Sequence, residues 1–384
     1  MKKLLIGILA VLLVFGGVIA ATTGGRGSFE VPETPAPADK AGQTGAESDA
    51  LFPLVDMEKL HALYPEDRVY ATVGSKEISW GEYYEWLGTY VLGYETMMEE
   101  AASYGMSYTW DMDAGGVTLA EALVGGVNDN LFNCKASELF AEELGASVSE
   151  EELEAAKRED MLLYLGEGAS EADWQQLLSE NFMTESMYRA TMRASLAASA
   201  GFKQLYGENG ENYPDDEVAA YFGDMGFYRC SHILITVPED EVMAESAATT
   251  AAEISEQLRA IEDPDARLAR FLEIRDELDE DPGQAAYPDG YLFQPNQGVD
   301  EAFEAAALAL EPGEVSEPVR SEFGWHVIIR RPLEGSVLLP SGQTMGGYLA
   351  NLAYGEKMDA FLAGLSFELA PGCEKVDLLA LLQE

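Results

Sequence analysis

Two short apolar runs frame the middle of the chain. Cys230-Ser231-His232-Ile233-Leu234-Ile235 opens this stretch, and Phe323-Gly324-Trp325-His326-Val327-Ile328-Ile329 closes it. Their length and β-branched content read as strands. Successive side chains of a strand point to opposite faces. Tyr228, Cys230, His232 and Leu234 therefore share one face, with Ser231, Ile233 and Ile235 on the other. In the closing run His326 and Ile328 oppose Trp325, Val327 and Ile329. If the two strands are central neighbours, the histidines can lie side by side. Between the runs come helical patterns, then Asp279-Glu280-Asp281-Pro282-Gly283, Pro288-Asp289-Gly290-Tyr291 and Phe303-Glu304-Ala305-Ala306.

The pattern before this stretch is mostly helical. Residues 69–78 read as a hairpin with a Gly-Ser turn. Ser79 with Glu82 three residues later marks a helix start. Helical periodicity covers 83–104, 119–144, 149–165, 170–179, 184–206 and 215–222. Cap signals are Ser149 with Glu152, Ser170 with Asp173, Thr184 with Met187, and Asp215 before Val218. After the framed stretch, residues 341–365 repeat Met345, Leu349, Leu352, Met358, Phe361 and Leu365 at helical spacing. A lone helix is not stable by itself. It is expected to pack on the helices before residue 226, so that one domain is closed from two chain segments.

Composition narrows the function. The chain has 384 residues, more than one compact domain usually holds. With 23 basic and 69 acidic residues, its formal charge is −46. Such a surface repels phosphate backbones, so no nucleic-acid partner is expected. The three cysteines, Cys134, Cys230 and Cys373, are too few and too widely spaced for a disulfide framework or a zinc site. Buried thiols are the expectation, although an oxidising compartment would allow a Cys134–Cys373 bridge. No His-Glu-x-x-His motif is present, and no metal or cofactor is expected. Trp80, Tyr83, Tyr84, Trp86, Tyr90, Tyr94, Met97, Met98, Tyr104, Met106, Tyr108 and Trp110 fit a helical core, or in part an adaptable cradle for unfolded chains.

At the N-terminus, Lys2-Lys3 precedes an apolar run through Ala21, the pattern of an export signal. A cleaved signal and a retained anchor both fit its length. The lysines direct the body of the protein outside the cytoplasm. Residues 22–66 read as a flexible linker, on a composition rich in Gly, Pro, Ala, Thr and Asp up to about residue 50.

The framed stretch resembles a parvulin-type peptidyl-prolyl cis-trans isomerase. The order of its pieces is the family's: His-Ile-Leu strand, helices, acidic turn, Asp-Gly turn, Phe-Glu-x-Ala helix, Gly-Glu-Val-Ser-x-Pro-Val, and Gly-Trp-His-Val-Ile strand. The resemblance covers a little over a quarter of the chain. The remaining layout resembles, more weakly, exported foldases that carry such a domain between helical chaperone segments. The implied fold class is α+β: a four-stranded antiparallel sheet with surrounding helices over 226–333, inserted in a helical domain built from 67–225 and 334–384.

The resemblance implies a pair of hydrogen-bonded histidines, His232 and His326, beneath the active site, and a third catalytic group at Asp281. Asp-Pro-Gly is also a turn signal in its own right. Tyr291, Val299, Phe303 and Phe323 stand where the family lines its proline slot. Val299 replaces the more frequent Met, and Tyr287-Pro288-Asp289-Gly290-Tyr291 replaces a Gly-Gly-Asp-Leu-Gly stretch. Some parvulins select phosphorylated substrates with a basic cluster before the first helix. Here that loop is Pro238-Glu239-Asp240-Glu241, so no phosphate dependence is expected. The implied function is a prolyl isomerase and foldase acting on unfolded exported chains with X-Pro bonds. The alternative is a non-catalytic holdase in which the parvulin domain serves as scaffold.

Overall fold

The computed structural model describes residues 57–237, 241–295, 299–373 and 377. The apolar N-terminal run, most of the linker and residues 238–240 of the acidic loop lie outside the described residues. The chain divides into two units. One takes the residues up to Leu205 and from Asn351 onward; the other is Tyr206–Ala350.

The first unit begins with α1 (Met57–Leu63), in a stretch whose position suggested linker. Its Leu60 is fully buried in the unit's main core, which is why the segment orders. The hairpin of β1 (Val69–Val73) and β2 (Lys76–Ser79) follows, antiparallel as the Gly-Ser turn predicts. Strand β7 (Phe367–Leu369) pairs with the far edge of β1, giving the order β2-β1-β7. The helices are α2 (Trp80–Ser103), α3 (Leu119–Glu143), α4 (Glu150–Leu165), α5 (Glu171–Glu180) and α6 (Glu185–Tyr206). Ser79, Ser149, Ser170 and Thr184 accept backbone N–H groups at their helix starts, as their spacing predicts. Thr118 and Glu121 form a further capping box ahead of α3.

The aromatic and methionine set divides by exposure. Trp80, Tyr83, Tyr84, Trp86 and Met98 are buried, and Tyr64 stacks on Trp80 at 4.2 Å. Met97, Tyr104, Met106 and Tyr108 are exposed, at the end of α2 and in the segment beyond it. Cys134 and Cys373 are free and buried, with no bridge between them; Cys373 Sγ accepts from Trp80 Nε1 at 3.4 Å.

The second unit is built on a four-stranded antiparallel sheet, order β4-β3-β6-β5, from β3 (Tyr228–Thr236), β4 (Tyr291–Phe293), β5 (Val319–Arg320) and β6 (Gly324–Arg331). One face carries α8 (Glu241–Arg259) and α9 (Pro264–Leu278). There Ile233, Val327 and Ile329 pack with Ala251, Leu258 and Phe271. The opposite face meets α10 (Glu301–Leu308), where Tyr228, Cys230 and Ile328 pack with Phe303 and Ala307. The alternation read from the sequence thus separates two cores.

Helix α7 (Asp215–Asp224) precedes the sheet. Asp215 does not cap it. Pro214 holds the N-cap position without a side-chain acceptor, and Asp215 Oδ1 accepts Gly335 N–H at 2.7 Å instead. The last helix, α11, is Met345–Leu362, starting four residues later than its periodicity predicts. Its start is set by Thr344, whose Oγ1 accepts Gly347 N–H at 3.0 Å. Met345 and Leu349 pack with Val218 and Phe222 of the second unit. Further along α11, Tyr354 and Phe361 meet Phe140 of the first unit, and Tyr354 donates to Ala198 O at 2.8 Å.

Candidate active site

The two histidines stand on the central strand pair. The register sets His232 opposite Ile328 and Leu234 opposite His326. The imidazoles are therefore diagonal neighbours on one face, within reach of long side chains. Their Nδ1 atoms are 2.8 Å apart and their ring planes lie 10° from parallel. Both residues are buried.

Asp281 reaches His232 because its segment is fastened along β3. Asp279 Oδ1 accepts Leu234 N–H at 2.8 Å, Glu280 N–H donates to Leu234 O at 3.0 Å, and Glu280 Oε2 accepts Thr236 N–H at 2.6 Å. Asp281 Oδ2 then lies 3.0 Å from His232 Nε2. The same oxygen accepts the Tyr291 hydroxyl, and Oδ1 accepts Gly283 N–H at 3.0 Å. The Asp-Pro-Gly turn and the site residue are one device. Burial acts to raise the Asp281 carboxyl, but the bonds from Tyr291, Gly283 N–H and His232 outweigh it and hold the group below the usual carboxylate range.

At the other end, His326 Nε2 lies 2.6 Å from the hydroxyl of the buried Ser321. Ser321 Oγ already accepts Phe323 N–H at 3.1 Å, so its own proton is free for the imidazole. With Asp281 ionised, all protons can be assigned. Ser321 donates to His326 Nε2, His326 Nδ1–H donates to His232 Nδ1, and His232 Nε2–H donates to Asp281. Both imidazoles are neutral in this arrangement. Burial, and next the neighbouring His232, hold His326 down to about 4.

A cleft of about 290 Å³ opens on this chain of groups. Tyr291, Val299, Phe303 and Phe323, the residues expected around the proline ring, all line it, with His232, His326 and Asp281. Phe303 is buried and meets both imidazoles edge-on, at 5.3 and 5.2 Å. Phe323 is 63 % exposed. Val299 precedes the helix that carries Phe303. Helix α10 begins after it, because the Asp300 carboxylate caps the N–H groups of Ala302 and Phe303. Leu234, Pro282, Phe293 and Asp300 complete the lining. These four, with Ser321 and Asp279, were not singled out in the sequence. The alternation that groups Leu234 with His232 was the one available signal.

The turn before Tyr291 is held from below. Arg229 Nε and Nη2 donate to Asp289 O at 3.0 and 2.7 Å, and Arg275 Nη1 donates to Pro288 O at 2.9 Å. Gly290 has φ +95° and lies against β3, where a Cβ would come within 2.9 Å of Cys230 O.

Comparison with known proteins bears on the same stretch. Residues 232–331 match the rotamase family model described as a PPIC-type PPIase domain. This segment is thus similar to the PPIC-type, or parvulin-type, rotamases. The chaperone SurA of Alkalilimnicola ehrlichii is 38 % identical over 101 residues, 26 % of this chain and 22 % of that protein. The foldase protein PrsA 4 of Bacillus cereus is 41 % identical over 100 residues, 26 % of this chain and 29 % of that protein. The chain thus spans less than a third of the length of these curated relatives. Among solved structures, PrsA from Bacillus subtilis is 18 % identical, covering 78 % of this chain and 90 % of its own, with a TM-score of 0.24. NmPin, the parvulin of Nitrosopumilus maritimus, is 36 % identical, covering 28 % of this chain and 96 % of its own, with a TM-score of 0.20.

Proposed function

We propose that the rotamase domain catalyses cis-trans isomerisation of X-Pro bonds, and that the whole chain is a foldase and chaperone for unfolded exported polypeptides. The observation that carries this reading is the hydrogen-bonded chain Ser321–His326–His232–Asp281–Tyr291 running beneath an apolar cleft. Catalytic roles fall to His232, Asp281 and His326. The proline slot falls to Tyr291, Val299, Phe303 and Phe323.

The mechanism follows from the amide. Rotation about an X-Pro bond is slow because the C–N bond has double-bond character, with a barrier of about 18–20 kcal/mol. No bond need break. In the twisted state resonance is lost and the carbonyl is less polarised. A fixed negative charge beside the carbonyl oxygen disfavours the planar, polarised form and so favours the twisted one. Asp281 supplies that charge. The two imidazoles orient it, and apolar walls around the ring exclude water. The doubled lysine and apolar run at the N-terminus support a site of action outside the cytoplasm, with that run as signal or tether.

The test is exchange of an Ala-Pro peptide with the full chain, compared with His232→Ala and Asp281→Ala. Acceleration by wild type that both substitutions reduce at least roughly tenfold, with the fold intact by circular dichroism, supports the reading. Absence of acceleration from folded wild-type protein sinks it.

A second reading, a holdase in which the rotamase domain is only scaffold, is favoured by one observation. Met97, Tyr104, Met106 and Tyr108 are exposed together along one chain segment of the first unit. Suppression of client aggregation that survives Asp281→Ala and is lost when these four are replaced by Ser would favour it.

A further inference from the structure

Tyr291 was expected only as a wall of the proline slot. Its hydroxyl does something a wall does not require: it donates to Asp281 Oδ2, the carboxylate oxygen that also meets His232 Nε2. We propose that Tyr291 is a positioning residue for the isomerase reaction, holding the Asp281 carboxylate in place and in its charged form. This inference rests on the isomerase reading of the cleft.

Three independent features bring the hydroxyl there. The first is the seating of the turn before it. Two buried arginines on separate elements, Arg229 on β3 and Arg275 on α9, grip the successive carbonyls of Asp289 and Pro288. A guanidinium fork holds a carbonyl more rigidly than a single donor does. The second is the ring. Tyr291 pairs with Cys230 in the sheet and is stacked against Phe293 at 5.7 Å and 11°, with Tyr287 at 4.6 Å. Its χ angles are therefore fixed by neighbours. The third is Gly283. A Cβ there would lie 2.5 Å from the Tyr291 hydroxyl. The backbone at Gly283 is φ −80°, ψ −18°, which any residue adopts, so space for the hydroxyl is what a glycine provides here.

The chemistry explains the need. The titratable groups around Asp281 are His232 on β3 with His326 behind it on β6, Tyr291 and Tyr287, Asp279 two residues back, and Asp300 on the same cleft. The nearby carboxylates and the partial burial both favour the protonated acid. A protonated Asp281 has no charge to set against a carbonyl. Its imidazole partner is neutral in the proton arrangement above and cannot supply a full counter-charge. A fixed hydroxyl donor favours the ionised form without neutralising it. It shares Oδ2 with His232, while Oδ1 accepts Gly283 N–H.

The experiment uses the full chain with Tyr291→Phe and Gly283→Ala. Tyr291→Phe keeps the ring and its stacking and removes the donor. Gly283→Ala leaves both partners intact and displaces the hydroxyl. For both, the expected result with an Ala-Pro peptide is a fall in kcat of roughly tenfold with little change in KM. The acidic limb of the kcat/KM profile should move to higher pH. A rise in KM with kcat and the acidic limb unmoved would reduce Tyr291 to a slot wall and overturn the inference. The carboxyl carbon of Asp281, followed by NMR, gives a readout independent of turnover. Tyr291→Phe should raise its titration midpoint, and an unmoved midpoint overturns the inference. If wild-type protein does not isomerise the peptide, the isomerase reading fails, and this titration alone decides whether the hydroxyl holds the carboxylate.

Discussion

His232 and His326 meet through like atoms, Nδ1 to Nδ1 at 2.8 Å. A hydrogen bond between two identical acceptors needs one proton, so the rings must be in opposite tautomers. The ends of the network decide which. The Asp281 carboxylate takes a proton from His232 Nε2, and the Ser321 hydroxyl gives one to His326 Nε2. Long-range ¹H–¹⁵N spectra near neutral pH should therefore find His232 protonated at Nε2 and His326 at Nδ1. A His232 protonated at Nδ1, or an imidazolium at either ring, would contradict this network. Ser321→Ala should leave His326 Nε2 without a donor and broaden or shift that nitrogen alone.

Stability should fall on mild acidification. Burial, then His232, lower His326 from 6.5 to about 4. Between these values the unfolded chain binds a proton on this residue and the folded chain does not. By linkage, stability falls as pH drops through that window. Asp281, held below its ordinary value, contributes stability that is lost at still lower pH, as its folded form becomes protonated. Asp279, raised by burial, runs the other way around its own ordinary value. Hydrogen exchange of β3 and β6 amides should be faster at about pH 5 than at about pH 7 after correction for the intrinsic rate. His326→Gln should flatten that difference. An unchanged difference would place the titration on another group.

Charge before proline should govern turnover. Among the described residues, those lining the cleft include two carboxylates, Asp281 and Asp300, and no Lys or Arg. The nearby Arg320 is engaged, donating to Gly324 O at 3.0 Å and lying 5.9 Å from the Trp325 ring. Peptides with Ala or Lys before proline should be turned over faster than those with Glu or phosphoserine, and the gap should narrow as salt rises. A phosphoserine-proline peptide turned over fastest would reverse the assignment.

Gly290→Ala tests the seating of the turn. The position combines φ +95° with a Cβ site 2.7 Å from Ser231 Oγ and 2.9 Å from Cys230 O. Strain and displacement should together cost about 1–3 kcal/mol, read as a lower Tm. Turnover should fall as well, since Tyr291 follows directly. An alanine variant with wild-type Tm would mean that the turn has another conformation available.

What could be read from the sequence was local. The hairpin at 69–78, the helices from α2 to α6 and the caps at Ser79, Ser149, Ser170 and Thr184 depend on neighbours within four residues. Helix α1 escaped because its seven residues carry one deeply buried side chain, Leu60, in otherwise linker-like surroundings. The paired histidines were visible as a resemblance and as an alternation. Their diagonal offset was not, since register is a property of two strands. Ser321 gave no signal, because a serine two residues before Phe323 is an ordinary loop residue until His326 folds over it. The division of the aromatic and methionine set into core and surface is likewise tertiary: adjacent Met97 and Met98 on α2 are exposed and buried respectively, and Tyr104, Met106 and Tyr108 beyond the helix are exposed.

The three-stranded sheet has a temporal consequence. Its middle strand, β1, is made early, yet its second neighbour, β7, comes after the whole of the second unit. The bond from Cys373 Sγ to Val69 O spans 304 positions. A chain emerging from its N-terminus carries β1 with one open edge throughout synthesis of residues 206–350. An open edge is a template for pairing with other strands. Compaction of the second unit shortens the effective loop that β7 must close, and so lowers the entropy cost of closing it. Completion of the three-stranded sheet is thus a late event, and a chain that stalls or is cut before residue 367 keeps an unsatisfied edge at the very start of its fold.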